Sequence, residues 1–204
     1  AQACAELSYE IDTEVVKLLE KMAFDQAKFH STKEEEIAPE NAVEFNKALP
    51  YGVGIRDHYY GFLTKLEEAS QLIYNRTQKH SAHYMVISST VKPILAVLDS
   101  FKATSGLRNG PYFAGTVNGI KVYVSPAIPA DKFFVGFHGD DLATSAAIYA
   151  PYMAIVPTQL LGFADGAMNQ GFSTLYDLKP LNDCLVVAGQ IINIPQTVKT
   201  KTNS

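Results

Sequence analysis

The dipeptide Asn118-Gly119, set between two apolar and β-branched runs, constrains this chain more than any other feature. Its flanks, 112–117 and 120–124, have strand composition, and a two-residue Asn-Gly link favours the type I′ turn whose twist matches that of paired strands. A β-hairpin is the consequence. Further strands are expected at Tyr84-Met85-Val86-Ile87, at residues 132–137 between the edge markers Asp131 and Gly136, and in the runs 153–156 and 184–194.

Upstream the period changes from strand to helix. Leu7, Ile11, Val15, Leu18, Leu19, Met22 and Ala23 recur at steps of three and four, which predicts one long opening helix. The run Lys33-Glu34-Glu35-Glu36 reads as a solvated loop, and Pro39 stops any continuation. After Pro50 and the Gly52-Val53-Gly54 turn, Tyr59, Phe62, Leu63, Leu66, Ala69 and Ile73 form the apolar face of a second helix. A third is expected beyond Ile87, with Ser88-Ser89-Thr90 offering capping hydroxyls and Pro93 tolerated in the first turn. Its apolar face would hold Val91, Ile94, Leu95, Leu98 and Phe101, and Ser105-Gly106 would end it. The class is α+β, and no fixed-period repeat is visible.

At 204 residues, with 47% apolar and 19% charged side chains, the chain can bury a core and lies outside the disordered regime. One or two packed domains are expected. A formal charge of −4 argues against a broad basic face, and so against sequence-specific binding of DNA. Cys4 and Cys184 make no disulfide framework, which points to a reducing compartment. No apolar run is long enough to span a membrane, and the first residues lack the pattern of a secretory signal.

Several residues have the types that catalysis or metal binding uses. His138-Gly139-Asp140-Asp141 places an imidazole beside two carboxylates, the raw material of a metal-dependent hydrolase. Adjacent carboxylates usually diverge, however, and no HExxH-type pattern supplies further ligands, so a loop turn is the simpler reading. His80 and His83 could share a metal, yet they also suit a polar helix end. Ser88 and Ser89 sit at a strand-to-helix turn without the glycines of a nucleophile elbow. Gly162, Gly166 and Gly171 are too widely spaced to cradle phosphate. Asn75-Arg76-Thr77 matches the glycosylation pattern inside an expected helix, a chance match. Tyr and Phe, 11 of each, lack interleaved cations and read as core and contact area. No cofactor is expected.

The order of the elements carries a resemblance. A helix over 56–77 closing on Arg76-Thr77-Gln78, a strand ending in Ser88, a helix and a Gly-containing hairpin resemble the A domain of tailed-bacteriophage major capsid proteins, the Hong Kong 97-type fold. Asn118-Gly119-Ile120-Lys121-Val122-Tyr123-Val124-Ser125-Pro126, then Phe133-Phe134-Val135-Gly136-Phe137, resembles that family's passage of glycine, aliphatic strand, proline and second strand. Tyr149-Ala150-Pro151-Tyr152-Met153-Ala154 is similar to a segment of the large contractile-tailed phage branch.

The resemblance implies a peripheral P-domain helix and connector over 1–53, an A domain over 54–162, strands returning to the P domain over 163–195 and a flexible tail over 196–204. Family members also have an N-terminal arm, an extended loop and a spine helix that no residue here encodes, so the chain is expected to be one piece of a longer polypeptide. The implied function is structural and not enzymatic: pentamers and hexamers of an icosahedral head around double-stranded DNA, in the virion, assembled in the host cytoplasm. Implied partners are copies of the chain itself, with scaffold, portal, minor capsid or decoration proteins, DNA touched only non-specifically, and no membrane. His138, Asp140, Asp141, Tyr149, Pro151 and Tyr152 would make subunit contacts on loops facing the ring axis. Encapsulin-type nanocompartment shells share the fold and are the nearest rival. A hydrolase using His138, Asp140 and Asp141 is the rival of another class.

Overall fold

A computed structural model describes residues 2–29, 39–104, 110–159, 161–162 and 168–193. Its centre is a mixed seven-stranded sheet, in the order β1-β11-β6-β2-β5-β4-β3. These strands are β1 (Ala42–Asn46), β2 (Tyr84–Ile87), β3 (Phe101–Ala103), β4 (Tyr112–Val117), β5 (Ile120–Val124), β6 (Lys132–Gly136) and β11 (Val186–Ile192). Helix α1 (Gln2–Gln26) packs on one face, and α2 (Ile55–Thr77) with the short α3 (Lys92–Ala96) packs on the other. Outside the sheet, β7 (Ala147–Pro157) pairs with β10 (Phe172–Pro180), and β8 (Leu161–Gly162) with β9 (Met168–Asn169).

The two faces follow from the period of two along a strand. In β6, Phe133 and Val135 join the α2 side of the core while Phe134 joins the α1 side; in β2, Met85 and Ile87 divide from Val86 in the same way. In β11, Val187 and Ile191 face α2, and Val186 and Ala188 face α1. Strands covered on both faces read as unbroken apolar runs. Gly189 lies opposite Phe133 in the β11–β6 register, and a Cβ there would sit 2.1 Å from the Phe133 ring. The missing side chain lets Phe133 lie flat over the strand and meet Phe62 of α2 edge-on, ring centres 5.3 Å apart.

The expected hairpin is present, with Asn118 and Gly119 both at positive φ, 47° and 85°, as a type I′ link requires. The first two helices and the strand at Tyr84–Ile87 also form as the periodicity predicts. The third helix differs: it has five residues, and Phe101 opens strand β3 instead of extending its face. The Ser88 and Thr90 hydroxyls do not cap it either, since both donate to the Ala130 carbonyl at 3.1 Å. Asp99, accepting from Arg56 and from Tyr60 Oη, anchors the turn that redirects the chain to the sheet edge. There Phe101–Ala103 gains a ladder with β4 that a short helix end could not match. The expected end at Ser105-Gly106 and the expected tail lie outside the described residues.

Strand β1 has no counterpart among the sequence expectations, and β10 falls among the strands implied over 163–195 without a local pattern that placed it. β1 runs parallel to β11 and lies more than a hundred residues from it in sequence, so its identity depends on a partner no local window contains. Strands from the expected segments 1–53, 54–162 and 163–195 all join this sheet, since β1 pairs with β11 and β11 with β6.

Arg76 ties the layers together at the end of α2. Its half-buried guanidinium donates to the Val186 carbonyl at 3.3 Å, the Asn41 carbonyl at 3.4 Å and Gln26 Oε1 at 3.4 Å. One side chain thus joins α2 to β11, to the entry of β1 and to the end of α1. Burial lowers its pKa, although a guanidinium keeps its charge across the accessible range. No described helix is long and apolar enough to cross a membrane.

Candidate functional site

The β7–β10 ribbon is the least self-sufficient part of the described chain. None of its described residues is buried. A lone two-stranded ribbon is marginal in water, so this one needs outside support. Part comes from α1, where Tyr176 Oη donates to Glu14 Oε2 at 2.5 Å, and that bond pushes the Tyr176 pKa up to about 12. Tyr149 packs on Tyr176 with ring centres 5.5 Å apart. At the base, Leu181 and Asn182 both donate backbone N–H groups to the Ala146 carbonyl, at 2.9 and 3.1 Å.

Tyr149, Pro151 and Tyr152, expected on a loop, lie instead within β7, where Tyr149 pairs with Leu178 and Pro151 with Tyr176. An edge of a two-stranded ribbon tolerates Pro151, a residue without an N–H. Tyr152 is 89% exposed, and Val156 and Leu175 are exposed with it. His138, Asp140 and Asp141 do lie on a loop, between β6 and a 3-10 turn at Leu142–Thr144. The Asp141 N–H donates to Thr144 Oγ1, and its carbonyl accepts from the Thr144 N–H, the bonding of a structural turn.

The chemistry open to these groups is limited. Among the described residues, no set of three or more His, Cys, Asp or Glu side chains is placed to hold a metal ion. His80 stacks on Phe137 at 4.2 Å, and the His83 backbone extends the sheet through bonds to Gly136 and Lys121. Ser88 is spent on the Ala130 carbonyl and Thr90. These residues pack and bond to the backbone; they do not assemble a nucleophile, base and acid.

Two further features escaped the sequence reading. An apolar groove of about 350 Å³ opens between α1, the ribbon base and one end of the sheet, floored by Val15, Leu19, Tyr84, Tyr149 and Leu178. His83, Lys121 and His138 line it too, and no carboxylate does. The second is the 49–55 loop, where Leu49, Tyr51, Val53 and Ile55 are all exposed, Tyr51 completely. Their alternation around Pro50 and two glycines was a signal, masked by the turn residues between them.

The chain is similar in fold to a subunit from the asymmetric unit of the mature capsid of bacteriophage PhiM1, with a TM-score of 0.55 and 14% identity over 96% of this chain and 64% of that one. It is likewise similar to a virus-like particle from Pyrococcus furiosus, with a TM-score of 0.51 and 14% identity over 90% of this chain and 64% of that one. The class is therefore the Hong Kong 97-type capsid fold.

Residues 4–196 match the model of the family described as Major capsid protein Gp23, and the chain belongs to that family. Among curated relatives, it is 25% identical over 132 residues to the major capsid protein of Vibrio phage KVP40, covering 59% of this chain and 26% of that protein. The figures for the major capsid protein of Enterobacteria phage T4 are 25% identity, 60% of this chain and 25% of that protein. The match thus spans about a quarter of the length of these relatives.

Proposed function

We infer that this chain forms the wall of a phage head. Copies join into pentamers and hexamers, and these close an icosahedral shell around double-stranded DNA in the virion, after assembly in the host cytoplasm. The activity is geometric: a patch on one copy meets a different patch on the next, and rotations that close give rings instead of filaments. Many modest contacts make loss of one subunit rare without any single tight interface.

The observation that carries this reading is the ribbon, strands of 11 and 9 residues with no buried side chain in a member of a capsid family. Neighbouring copies would supply the cover it lacks. Tyr149, Pro151 and Tyr152 would contact the next subunit through the ribbon, and His138, Asp140 and Asp141 through the adjoining loop. A formal charge of −4 suits a wall that must not hold phosphate tightly while a genome is loaded.

Electron microscopy of particles formed by the native polypeptide tests the proposal. Uniform closed shells containing DNA are expected. Shells holding a protein cargo would overturn the genome-container reading, and a monomer whose activity is lost on His138→Ala would overturn the structural one.

A further inference from the structure

We propose that the 49–55 loop of one copy is a knob that seats in the groove between α1, the ribbon base and the sheet end of the next copy. The inference rests on the shell reading above and names the surfaces that would join neighbours.

Topology puts knob and groove at opposite ends of the molecule. β1, β2, β5 and β11 run in one direction and β6 in the other. Tyr84 and Lys121 at the starts of β2 and β5, with Phe137 just past the end of β6, therefore mark a single end of the sheet, and all three line the groove. The loop leaves from Asn46, where β1 ends, and so lies at the other end. Five residues of strand span about 17 Å. A loop so placed cannot reach the groove of its own chain, but it can reach that of a neighbour arranged head to tail. Such a contact joins unlike patches, as ring closure requires.

The loop is pre-formed. Asn46 Oδ1 accepts from the Ala48 N–H at 2.9 Å and from Asn193 Nδ2 at 3.0 Å, and the Val53 N–H donates to the Pro50 carbonyl at 3.3 Å. His58 Nε2 lies 2.8 Å from the Asn46 carbonyl. A segment held in this way loses little freedom on docking. It presents Leu49, Tyr51, Val53 and Ile55 to solvent, the densest run of exposed large apolar side chains among the described residues. Tyr51 suits the task, because an exposed tyrosine gives a large contact area and keeps a polar tip for the rim.

The chemistry of the groove matches. Its floor is apolar, its cationic or titratable residues are Lys121, His83 and His138, and no Asp or Glu lines it. Asp57, in the first turn of α2 just beyond the knob, forms no ion pair among the described residues and would face Lys121 of the groove.

Cysteine crosslinking in particles assembled from the native polypeptide tests the contact. Tyr51→Cys and Ala147→Cys are combined in a Cys4→Ser/Cys184→Ser background, and particles are oxidised and run on a non-reducing gel. Cysteines bond only when their Cα atoms come within about 7 Å. A ladder of covalent multimers is expected from the pair and from neither cysteine alone. Separately, Tyr51→Ser should raise the concentration needed for assembly about tenfold or more while leaving the unfolding midpoint of the unassembled protein in place. Closed shells of the paired variant that give no ladder overturn the docking and leave the shell reading intact. Should the cysteine pair block assembly, Tyr51→Ser decides alone, and assembly at the wild-type concentration overturns the docking. Failure of the unmodified polypeptide to form shells under any condition would instead defeat the shell reading.

Discussion

The seven-stranded sheet and the β7–β10 ribbon use the same backbone chemistry and treat their side chains in opposite ways. In β6, Phe133, Phe134, Val135 and Gly136 are all buried, and β11 buries Val186 to Gly189 without a break. β7 and β10 bury nothing. In β6 and in residues 186–188 of β11, the apolar side chains find their cover within the chain, on the α1 side or the α2 side. In the ribbon, only a few residues near the base meet α1, through Tyr176 and Glu14. The contrast separates strands covered within the chain from strands that, on the shell reading, await cover from a neighbouring copy. Substitutions should separate them: changes in the sheet act on folding, and changes in the ribbon act on association.

Phe133→Ala should show the largest effect. Phe133 is fully buried, packs edge-on against Phe62 and lies over Gly189, so truncation leaves a cavity that flanking strands cannot close. Urea unfolding of the unassembled protein should show a loss of about 3–5 kcal/mol. A loss below about 1 kcal/mol would mean the sheet is not the closed unit described here.

Arg76→Ala comes next, at about 1–3 kcal/mol, because it leaves the Val186 and Asn41 carbonyls short of a donor and loosens α1, β11 and α2 together. Arg76→Lys should recover only part of the loss, since one ammonium cannot span three acceptors in separate directions. The same unfolding measurement decides.

On the ribbon the expected sign is different. Tyr152→Ser should move the unfolding free energy by no more than about 0.5 kcal/mol, as exposed positions do. It should nonetheless impair shell formation, followed by light scattering and electron microscopy. Equal damage to folding would erase the distinction between the two regions; normal assembly would remove Tyr152 from the contact set.

The same division governs what could be read from residues alone. Asn118-Gly119 announces its own turn chemistry, and the α2 face from Phe62 to Ile73 announces its period, so both are legible within a short window. β1 is not, because Ala42-Val43-Glu44-Phe45-Asn46 becomes a strand by pairing with residues far along the chain. Phe101 follows a helical spacing yet enters β3, since Arg56 and Tyr60 fix Asp99 and turn the backbone first. The Ala-Pro-Tyr stretch was not legible as a strand, because Pro151 argues locally against the ladder that β10 provides. Where tertiary pairing overrides local preference, local preference misleads.

The smallest effect is reserved for alkaline pH, and it tests the Tyr176–Glu14 tether of the ribbon. Tyr176 in the ribbon and Tyr84 in the sheet both have raised pKa values, for different reasons. The bond to Glu14 pushes Tyr176 up to about 12, whereas burial alone raises Tyr84, and further. A phenol with a raised pKa keeps its proton in the folded chain after the unfolded chain has lost it. Its contribution is therefore complete below the ordinary tyrosine value of 10.0 and fades as pH climbs through about 12. The ribbon should let go of α1 in that window while the sheet, which does not depend on the Tyr176 phenol, persists. Ultraviolet difference absorbance should record a late-titrating phenol near pH 12 that Tyr176→Phe removes, together with faster amide exchange in β10 than in β6 over the same range. Simultaneous exchange of both strands would show that the ribbon is bound to the sheet more firmly than one Tyr176–Glu14 bond and a shared carbonyl allow.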